Sequence, residues 1–177
     1  RHLLDFSDLE HCMIRLLTKK DTGAPTAAAR SLAQTYREIL IDEYQDSNAV
    51  QECIFQAVSR EGKNLFLVGD VKQSIYRFRL ADPTIFLSKY DAYPPLGTQA
   101  PGEPRKLLLS KNFRSRAEIL EAANDVFSLV MKKEAGELDY TQAEALVPGA
   151  SFPEEGSPKV ELHCLDLTAA DDDTGDK

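Results

Sequence analysis

Two adjacent carboxylates, Asp42 and Glu43, directly follow a short run of aliphatic residues, Ile39–Ile41. Such a continuous aliphatic run is typical of a strand that is buried on both faces in a parallel sheet covered by helices. Ligands of α/β sheets bind beyond the carboxyl ends of the strands, where these carboxylates would lie. In phosphate chemistry, Asp42 could hold Mg²⁺ through a water shell, and Glu43 could orient or deprotonate the attacking water.

A purely structural interpretation of the two acids is also open. Acids after a strand can simply solvate a turn, while a nearby polar residue caps the helix that follows. The candidates for that cap are Asp46, Ser47 and Asn48. The other polar segments of the chain are what favour the chemical interpretation.

Two further polar segments follow predicted strands. The first is GDVKQSIYRFR at 69–79, which comes after the aliphatic run Leu65–Val68. The second is NFRS at 112–115, which comes after Lys106–Ser110. Three strand ends therefore carry polar clusters, and the carboxyl ends of parallel strands meet at one edge of a sheet.

Individual residues of these segments suit phosphate chemistry. Gln73 could sense a γ-phosphate or position a water through its amide, and Arg114, beside a predicted helix start, could reach a phosphate as an arginine finger. Alone, each signal is weak, because NFRS is also an ordinary helix start with Ser115 and Glu118 as a capping pair.

Aromatic residues alternate with arginines between positions 75 and 79. Tyr76 and Phe78 offer ring faces on which unpaired bases can stack, and Arg79 offers a guanidinium group for a nucleic-acid backbone. The alternative is that the two rings are part of the hydrophobic core.

The remaining sequence pattern predicts an α/β fold in which parallel strands at 39–42 and 65–69 are flanked by helices. The first helix, over 5–20, carries Ser7 and Glu10 as a capping pair. The other predicted elements are helices over 26–36, 48–60, 83–90 and about 119–130, a third strand over 106–110 and an edge-type strand over 160–167.

Composition limits the class of protein. The 177 residues are 42% hydrophobic and 28% charged, which is ordinary for a globular chain. No apolar run approaches the ~18 residues of a membrane span, and three cysteines without a CxxC pattern favour a reducing, cytoplasmic location. The net charge of −8 is concentrated in residues 154–177, which carry eight acids and two bases. The acidity therefore does not exclude nucleic acid as a partner.

Taken in order, the three motifs resemble those of superfamily 1 UvrD/Rep/PcrA-like DNA helicases. Their Walker B motif reads DExQD, and it is followed by GDxxQSIYxFR and then NFRS or NYRS. This chain has DEYQD at 42–46, GDVKQSIYRFR at 69–79 and NFRS at 112–115. The longer stretch 69–90 looks most like the AddA subunits of bacterial AddAB helicase–nucleases, and DFSDLE at 5–10 is similar to a segment that precedes Walker B in that family.

The resemblance implies a role for each matching residue. The cofactors would be ATP and Mg²⁺, with Asp42 as the metal ligand and Glu43 as the catalytic base. Gln73 and Arg114 would contact the γ-phosphate. Single-stranded DNA would be bound by Tyr76, Phe78 and Arg79. The implied partners are DNA, as single strands and duplex ends, and an AddB-type subunit, with no membrane involved.

The chain also departs from the family pattern. It contains no GxxxxGKS or GxxxxGKT motif for binding phosphates, no later helicase motifs and no nuclease domain. We therefore interpret it as an internal fragment whose fold is a partial RecA-like P-loop NTPase fold, and which by itself should be inactive. Unpaired strand edges would favour rearrangement or self-association.

The implied domain organisation follows the two lobes of such helicases. Residues 1–93 would be part of the first RecA-like lobe, and 94–104, rich in proline and glycine, would be the linker. Residues 105–135 would start the second lobe, and 136–177 would be an acidic loop, one strand and a disordered tail.

The leading functional hypothesis is a piece of an ATP-dependent 3′→5′ DNA helicase/nuclease subunit that acts in double-strand-break repair and recombination. One alternative is a stand-alone repair helicase of the UvrD/Rep type. The alternative from another class is a non-catalytic RecA-like module that only binds a partner or DNA.

Overall fold

The computed structural model describes residues 3–98, 100–132, 134, 139–153, 156 and 160–165. The chain forms two compact units, Arg1–Leu108 and Leu109–Lys177. The first unit contains α1 Phe6–Leu17, α2 Ala27–Thr35, β1 Ile39–Ile41, α3 Ala49–Val58, β2 Leu65–Leu67 and α4 Pro83–Ala92. The second contains β3 Lys111–Asn112, α5 Ala117–Val130 and β4 Val147–Pro148. No helix in the described ranges is long and apolar enough to cross a membrane.

The centre of the first unit is a βαβ arrangement of β1, α3 and β2. The two strands pair in parallel, with Ile39 opposite Leu65 and Ile41 opposite Leu67. Two short aliphatic strands separated by a helix cannot pair through a tight turn, so the helix makes the crossover that parallel pairing requires. The predicted α/β class, with parallel strands and flanking helices, is confirmed.

The sheet is covered on one face only, so the expectation of burial on both faces is wrong. Side chains alternate across a strand, which places Leu40 and Phe66 side by side on the same face. They are 70% and 59% exposed, because no element in the described part of the chain lies over them. The opposite-facing side chains of both strands are half-buried.

The core of the first unit lies among three helices. Leu17 of α1, Ala29 of α2 and Ala57 of α3 are buried against one another. Leu32, Ile54 and Val58 pack around them while keeping partial exposure. The small side chains of Ala29 and Ala57 let the three helices approach closely, and Leu17 fills the space between them.

The helix caps differ in part from those predicted. Helix α1 begins after Asp5, whose side chain accepts from the backbone N–H of Asp8 while the Asp8 carboxylate accepts from that of Asp5. This capping box replaces the predicted pair of Ser7 and Glu10, because Asp5 offers the same chemistry two residues earlier. Of the three candidates before α3, Asn48 is the cap, and Gln51 completes its capping box.

The predicted third strand over 106–110 is wrong. Lys106 makes only an isolated bridge to Pro95, and Leu107, Leu108 and Leu109 are exposed. The two-residue strand β3 begins at Lys111 and pairs in parallel with β4. Hydrogen bonds from Leu96 N to Lys106 O and from Lys106 N to Pro94 O close the predicted linker into a loop within the first unit.

The second unit is organised around Asn124 of α5. Its amide oxygen accepts from the backbone N–H of Leu146 at 2.9 Å, and its amide nitrogen donates to the Leu146 carbonyl at 3.0 Å. Tyr140 donates its hydroxyl proton to the same side chain and packs edge-on against Phe127. Residues 160–165 form no strand, so the edge-type strand is wrong there. The predicted disordered tail lies outside the described residues, as do 166 and 167.

Candidate functional site

Both carboxylates of the DE pair are exposed beyond the end of β1. The Oδ1 atom of Asp42 accepts the backbone N–H of Glu43 at 3.0 Å. Glu43 has a left-handed backbone, with φ 50° and ψ 42°, a conformation that costs a residue with a side chain roughly 1 kcal/mol or more. The surrounding structure must therefore hold this sharp turn in place. The contacts of the next residue, Tyr44, contribute much of that stabilisation.

Tyr44 anchors the turn after the two carboxylates. Its ring is fully buried and lies near the rings of Phe55 and Phe86, at centroid distances of 6.4 and 5.9 Å. Its hydroxyl group donates to the carboxylate of Glu52. Burial, and then this hydrogen bond, raise the pKa of the Tyr44 phenol far above its usual value, so the group stays a donor. Lys89 of α4 completes the cluster, with its Nζ 2.8 Å from Glu52 Oε1.

Gln45, the glutamine of DEYQD, is a buried polar residue to which the sequence analysis assigned no role. Its amide nitrogen donates to the Glu43 carboxylate at 2.7 Å, and its amide oxygen accepts the backbone N–H of Asp70 at 2.8 Å. The side chain thus joins the end of β1 to the segment that follows β2. The available signal was its position in the DExQD pattern, and the structure adds that it is buried with a partner at each end of its amide.

The segment after β2 holds Gln73 against Asp70. The Gln73 amide donates to Asp70 Oδ2 at 3.0 Å, and Lys72 Nζ lies 2.9 Å from Asp70 Oδ1. Burial alone would raise the pKa of Asp70, but the hydrogen bonds from Gln73 and Lys72 and the charge of Lys72 outweigh it and lower the pKa. The stabilisation from this carboxylate is therefore present at neutral pH and is lost only as pH falls through the lowered pKa.

Tyr76, Phe78 and Arg79 form a surface cluster, and none of the three lies in the core. The two rings are 5.9 Å apart, and the Arg79 guanidinium lies 5.3 Å from the Tyr76 ring centroid and 5.4 Å from that of Phe78. Phe78 is 75% exposed. An exposed ring beside a cation is suited to stacking on an unpaired base while the cation attracts a phosphate.

Arg114 belongs to the second unit and is exposed. Its backbone N–H and that of Ser115 donate to the side-chain oxygen of Asn112, at 2.8 and 2.9 Å. The predicted capping pair of Ser115 and Glu118 is wrong, because α5 begins after Arg116 without a side-chain cap. Asn112 instead fixes the turn that presents Arg114.

A sequence comparison with protein families shows which family shares these segments. The family model of the UvrD/REP helicase N-terminal domain matches residues 1–94, which is more than half of the chain. The chain belongs to the UvrD/REP helicase N-terminal domain family. The match includes the DE pair, Gln45, the 69–79 segment and helix α4.

Individual relatives of this UvrD/REP chain are curated as ATP-dependent helicase/nuclease subunits of the AddA type. The Listeria welshimeri protein is 47% identical over the whole of this chain, and that of Clostridium kluyveri is 48% identical over 94% of it. The Clostridium acetobutylicum protein is 50% identical over 87%. The predicted resemblance to AddA is confirmed. The chain spans 14% of the length of the first two relatives and 12% of the third.

The acidic end of β1 in this UvrD/REP domain suits a magnesium ion of the kind that binds with a nucleotide. Mg²⁺ usually takes one or two carboxylates together with substrate phosphates, and it keeps several waters. Asp42 offers one exposed carboxylate of this type. Groups of three or more His, Cys, Asp or Glu that could cage a metal are absent from the described residues. The donor set therefore fits an ion shared with a substrate phosphate.

Asp46, the last acid of DEYQD, should make the stability of the UvrD/REP domain depend on pH. Its Oδ1 is buried and, among the described groups, accepts no hydrogen bond. Burial and then the Glu43 carboxylate raise the Asp46 pKa above its usual 3.8. The folded state thus binds this proton more tightly than the unfolded state does. The destabilisation that comes from ionised Asp46 in the folded state is therefore absent well below pH 3.8 and complete above the raised pKa.

We expect Asp46→Asn to increase the free energy of unfolding at pH 7 by more than at pH 4, because it removes a charge whose cost exists only when it is ionised. Urea unfolding at the two pH values measures the difference. Asp91→Asn, at an exposed carboxylate of α4, is the matched control for removing one negative charge. An equal gain for Asp46→Asn at pH 4 and pH 7 would contradict the assignment.

Proposed function

We propose that this chain is part of the motor of an ATP-dependent 3′→5′ DNA helicase/nuclease subunit that acts in double-strand-break repair and recombination. The observation that carries the proposal is the hydrogen-bonded path from Glu43 through Gln45 to Asp70 and Gln73. The path joins the segment that bears Glu43, whose carboxylate could orient water, to the segment that bears Gln73, whose amide could contact the leaving phosphate. A nucleotide-driven motor needs both groups. Family membership and the AddA relatives support the same function.

In this proposal each residue has one task. Asp42 would hold Mg²⁺, which supplies charge neutralisation for the phosphates when bound, and Glu43 would accept a proton from the attacking water. Gln73 and Arg114 would contact the γ-phosphate of ATP. Exposure of all four side chains leaves them accessible to a nucleotide.

The parent protein would work in the cytoplasm on single-stranded DNA and duplex ends, together with an AddB-type subunit. These partners come from the resemblance to AddA. Because no GxxxxGKS or GxxxxGKT occurs in the 177 residues, we propose that this chain alone does not hydrolyse ATP. The activity would require the full-length protein.

ATP turnover by the full-length protein tests the proposal, measured with and without single-stranded DNA and with and without Mg²⁺. The expected result is magnesium-dependent turnover that rises when DNA is added. Turnover that ignores DNA would overturn the motor proposal. An absence of turnover together with retained DNA binding would favour the non-catalytic binding module instead.

Phe78→Ala should weaken binding of single-stranded DNA by the full-length protein about five- to 150-fold, because base–aromatic stacking contributes ~1–3 kcal/mol per base. Fluorescence anisotropy with a labelled oligothymidine measures the affinity. Phe78→Tyr keeps the ring face and should restore most of the binding. Phe6→Ala removes an even more exposed phenylalanine from α1 and should have no effect. Equal losses at both positions would indicate general hydrophobic contact and not stacking.

A further inference from the structure

Gln45 has the burial and the bonding of a residue that holds others in place. It is 1% exposed, and both ends of its amide are satisfied by groups from different segments. A buried amide costs roughly 1–3 kcal/mol if one end loses its partner. The side chain therefore has one favourable orientation, with nitrogen toward Glu43 and oxygen toward Asp70.

The close approach of the two segments depends on Gly69. A Cβ atom at this position would lie 2.6 Å from Gln45 Oε1 and 3.2 Å from Gln45 N. Contacts of 2.6 Å are shorter than side-chain carbons make, so any other residue would displace the Gln45 amide. The Gly-Asp turn after β2 thus gives the Gln45 oxygen access to the Asp70 N–H.

The hydrogen bond from Gln45 reaches Glu43, a residue with a strained backbone. Glu43 has a positive φ and an exposed carboxylate, so its side chain would otherwise sample several rotamers. Gln45 engages one carboxylate oxygen, Oε2, and leaves the other for a water molecule. Beyond Gln45, the Asp70 carboxylate accepts from the Gln73 amide, which extends the path to the second segment.

We propose that Gln45 is a positioning residue that fixes the carboxylate of Glu43 and couples its orientation to the segment bearing Gln73. This inference rests on the proposed ATP hydrolysis. Gln45 itself touches no substrate. A shift of the 69–73 segment when Gln73 engages or releases a phosphate would move the Asp70 N–H, and through Gln45 the orientation of Glu43.

The first test separates binding from turnover in the full-length protein. Gln45→Met keeps the side-chain length and removes both hydrogen bonds. Removing the hydrogen-bonding partner of a metal ligand typically costs ten- to a hundredfold in activity, and we expect a similar fall in kcat for DNA-stimulated ATP hydrolysis when Glu43 loses its partner. KM for ATP should change less than threefold. Gly69→Ala, which displaces the same amide, should reproduce the result.

A double-mutant cycle distinguishes positioning from general damage. If Gln45 acts through Glu43, then Gln45→Met should cause no further loss in a Glu43→Gln background. A full additional loss there, or unchanged kcat in the single variant, would overturn the proposal. Should Gln45→Met fail to fold, Gly69→Ala provides the same comparison, since it keeps the glutamine and displaces its amide oxygen.

Hydrogen exchange on the same full-length proteins tests the link without relying on ATP hydrolysis. Gln45→Met should speed exchange in the peptide covering 69–73, because the Asp70 N–H loses its acceptor, whereas Glu43→Gln should not. Unchanged exchange would overturn the link. If exchange is faster but the protein has no ATP turnover, the link between Gln45 and Asp70 is supported and the proposed ATP hydrolysis is rejected. Failure of the inference and failure of the proposed function therefore give different results.

Discussion

Glu43→Gln is expected to lower DNA-stimulated ATP turnover by the full-length protein about 10²–10⁴-fold, the range that a positioned general base contributes. The replacement is nearly isosteric, and its amide oxygen can still accept the hydrogen bond from Gln45 that the carboxylate accepts at 2.7 Å. The turn and its positive φ should therefore persist. Only the ability to take a proton from water is removed, so ATP binding should be retained while turnover is lost.

A matched control lies at the other end of the same strand. Glu38 is exposed and precedes β1, so Glu38→Gln changes the net charge equally at a distance from the proposed chemistry. Steady-state ATPase assays of both variants, with nucleotide binding measured separately, give the comparison. Equal activities of Glu43→Gln and the wild type would show that the DE pair only solvates a turn.

Leu17→Ala should reduce the free energy of unfolding of the first unit by about 2.7–5 kcal/mol, as large-to-small replacements in a close-packed core do. Leu17 is 0% exposed and packs against Ala29 and Ala57, whose methyl groups cannot fill the space it would leave. Urea unfolding of the 177-residue chain, followed by far-UV circular dichroism, measures the shift in the transition of the helical unit.

The preceding residue supplies the control for this stability prediction. Leu16 has the same side chain on the same helix but is 54% exposed. Leu16→Ala should change stability by less than about 1 kcal/mol, because more than half of its surface stays in water in the folded state. Similar losses for the two variants would mean that α1 is not held by the Leu17 contact.

The βαβ centre could be predicted because its information is local. The aliphatic runs Ile39–Ile41 and Leu65–Leu67 are short and continuous, with a capped amphipathic helix between them. The same local reasoning failed for 106–110, since a run of leucines looks identical whether or not a partner strand is present. The prediction that both sheet faces are buried failed for a related reason, because their burial depends on elements elsewhere in the fold.

The sequence predicts residue types for the candidate site but not the connections between them. The sequence indicates that Glu43 and Gln73 carry chemistry, and their proposed roles stay predictions. The side chain that links their segments, Gln45, becomes visible only when β1 and β2 are in register and bring its amide to the Asp70 N–H. Likewise, the contact between Tyr44 and Glu52 depends on helix packing that no spacing rule encodes.

The uncovered face of the sheet has a calorimetric consequence. Leu40 and Phe66 are already hydrated in the folded state, so unfolding exposes less new apolar surface there than it would in a domain with both faces covered. The heat-capacity increment of unfolding comes chiefly from newly hydrated apolar area, at ~12–15 cal/mol/K per residue in ordinary domains. The first unit should therefore have a smaller increment than a unit of the same size with both sheet faces covered, and its stability should vary less steeply with temperature.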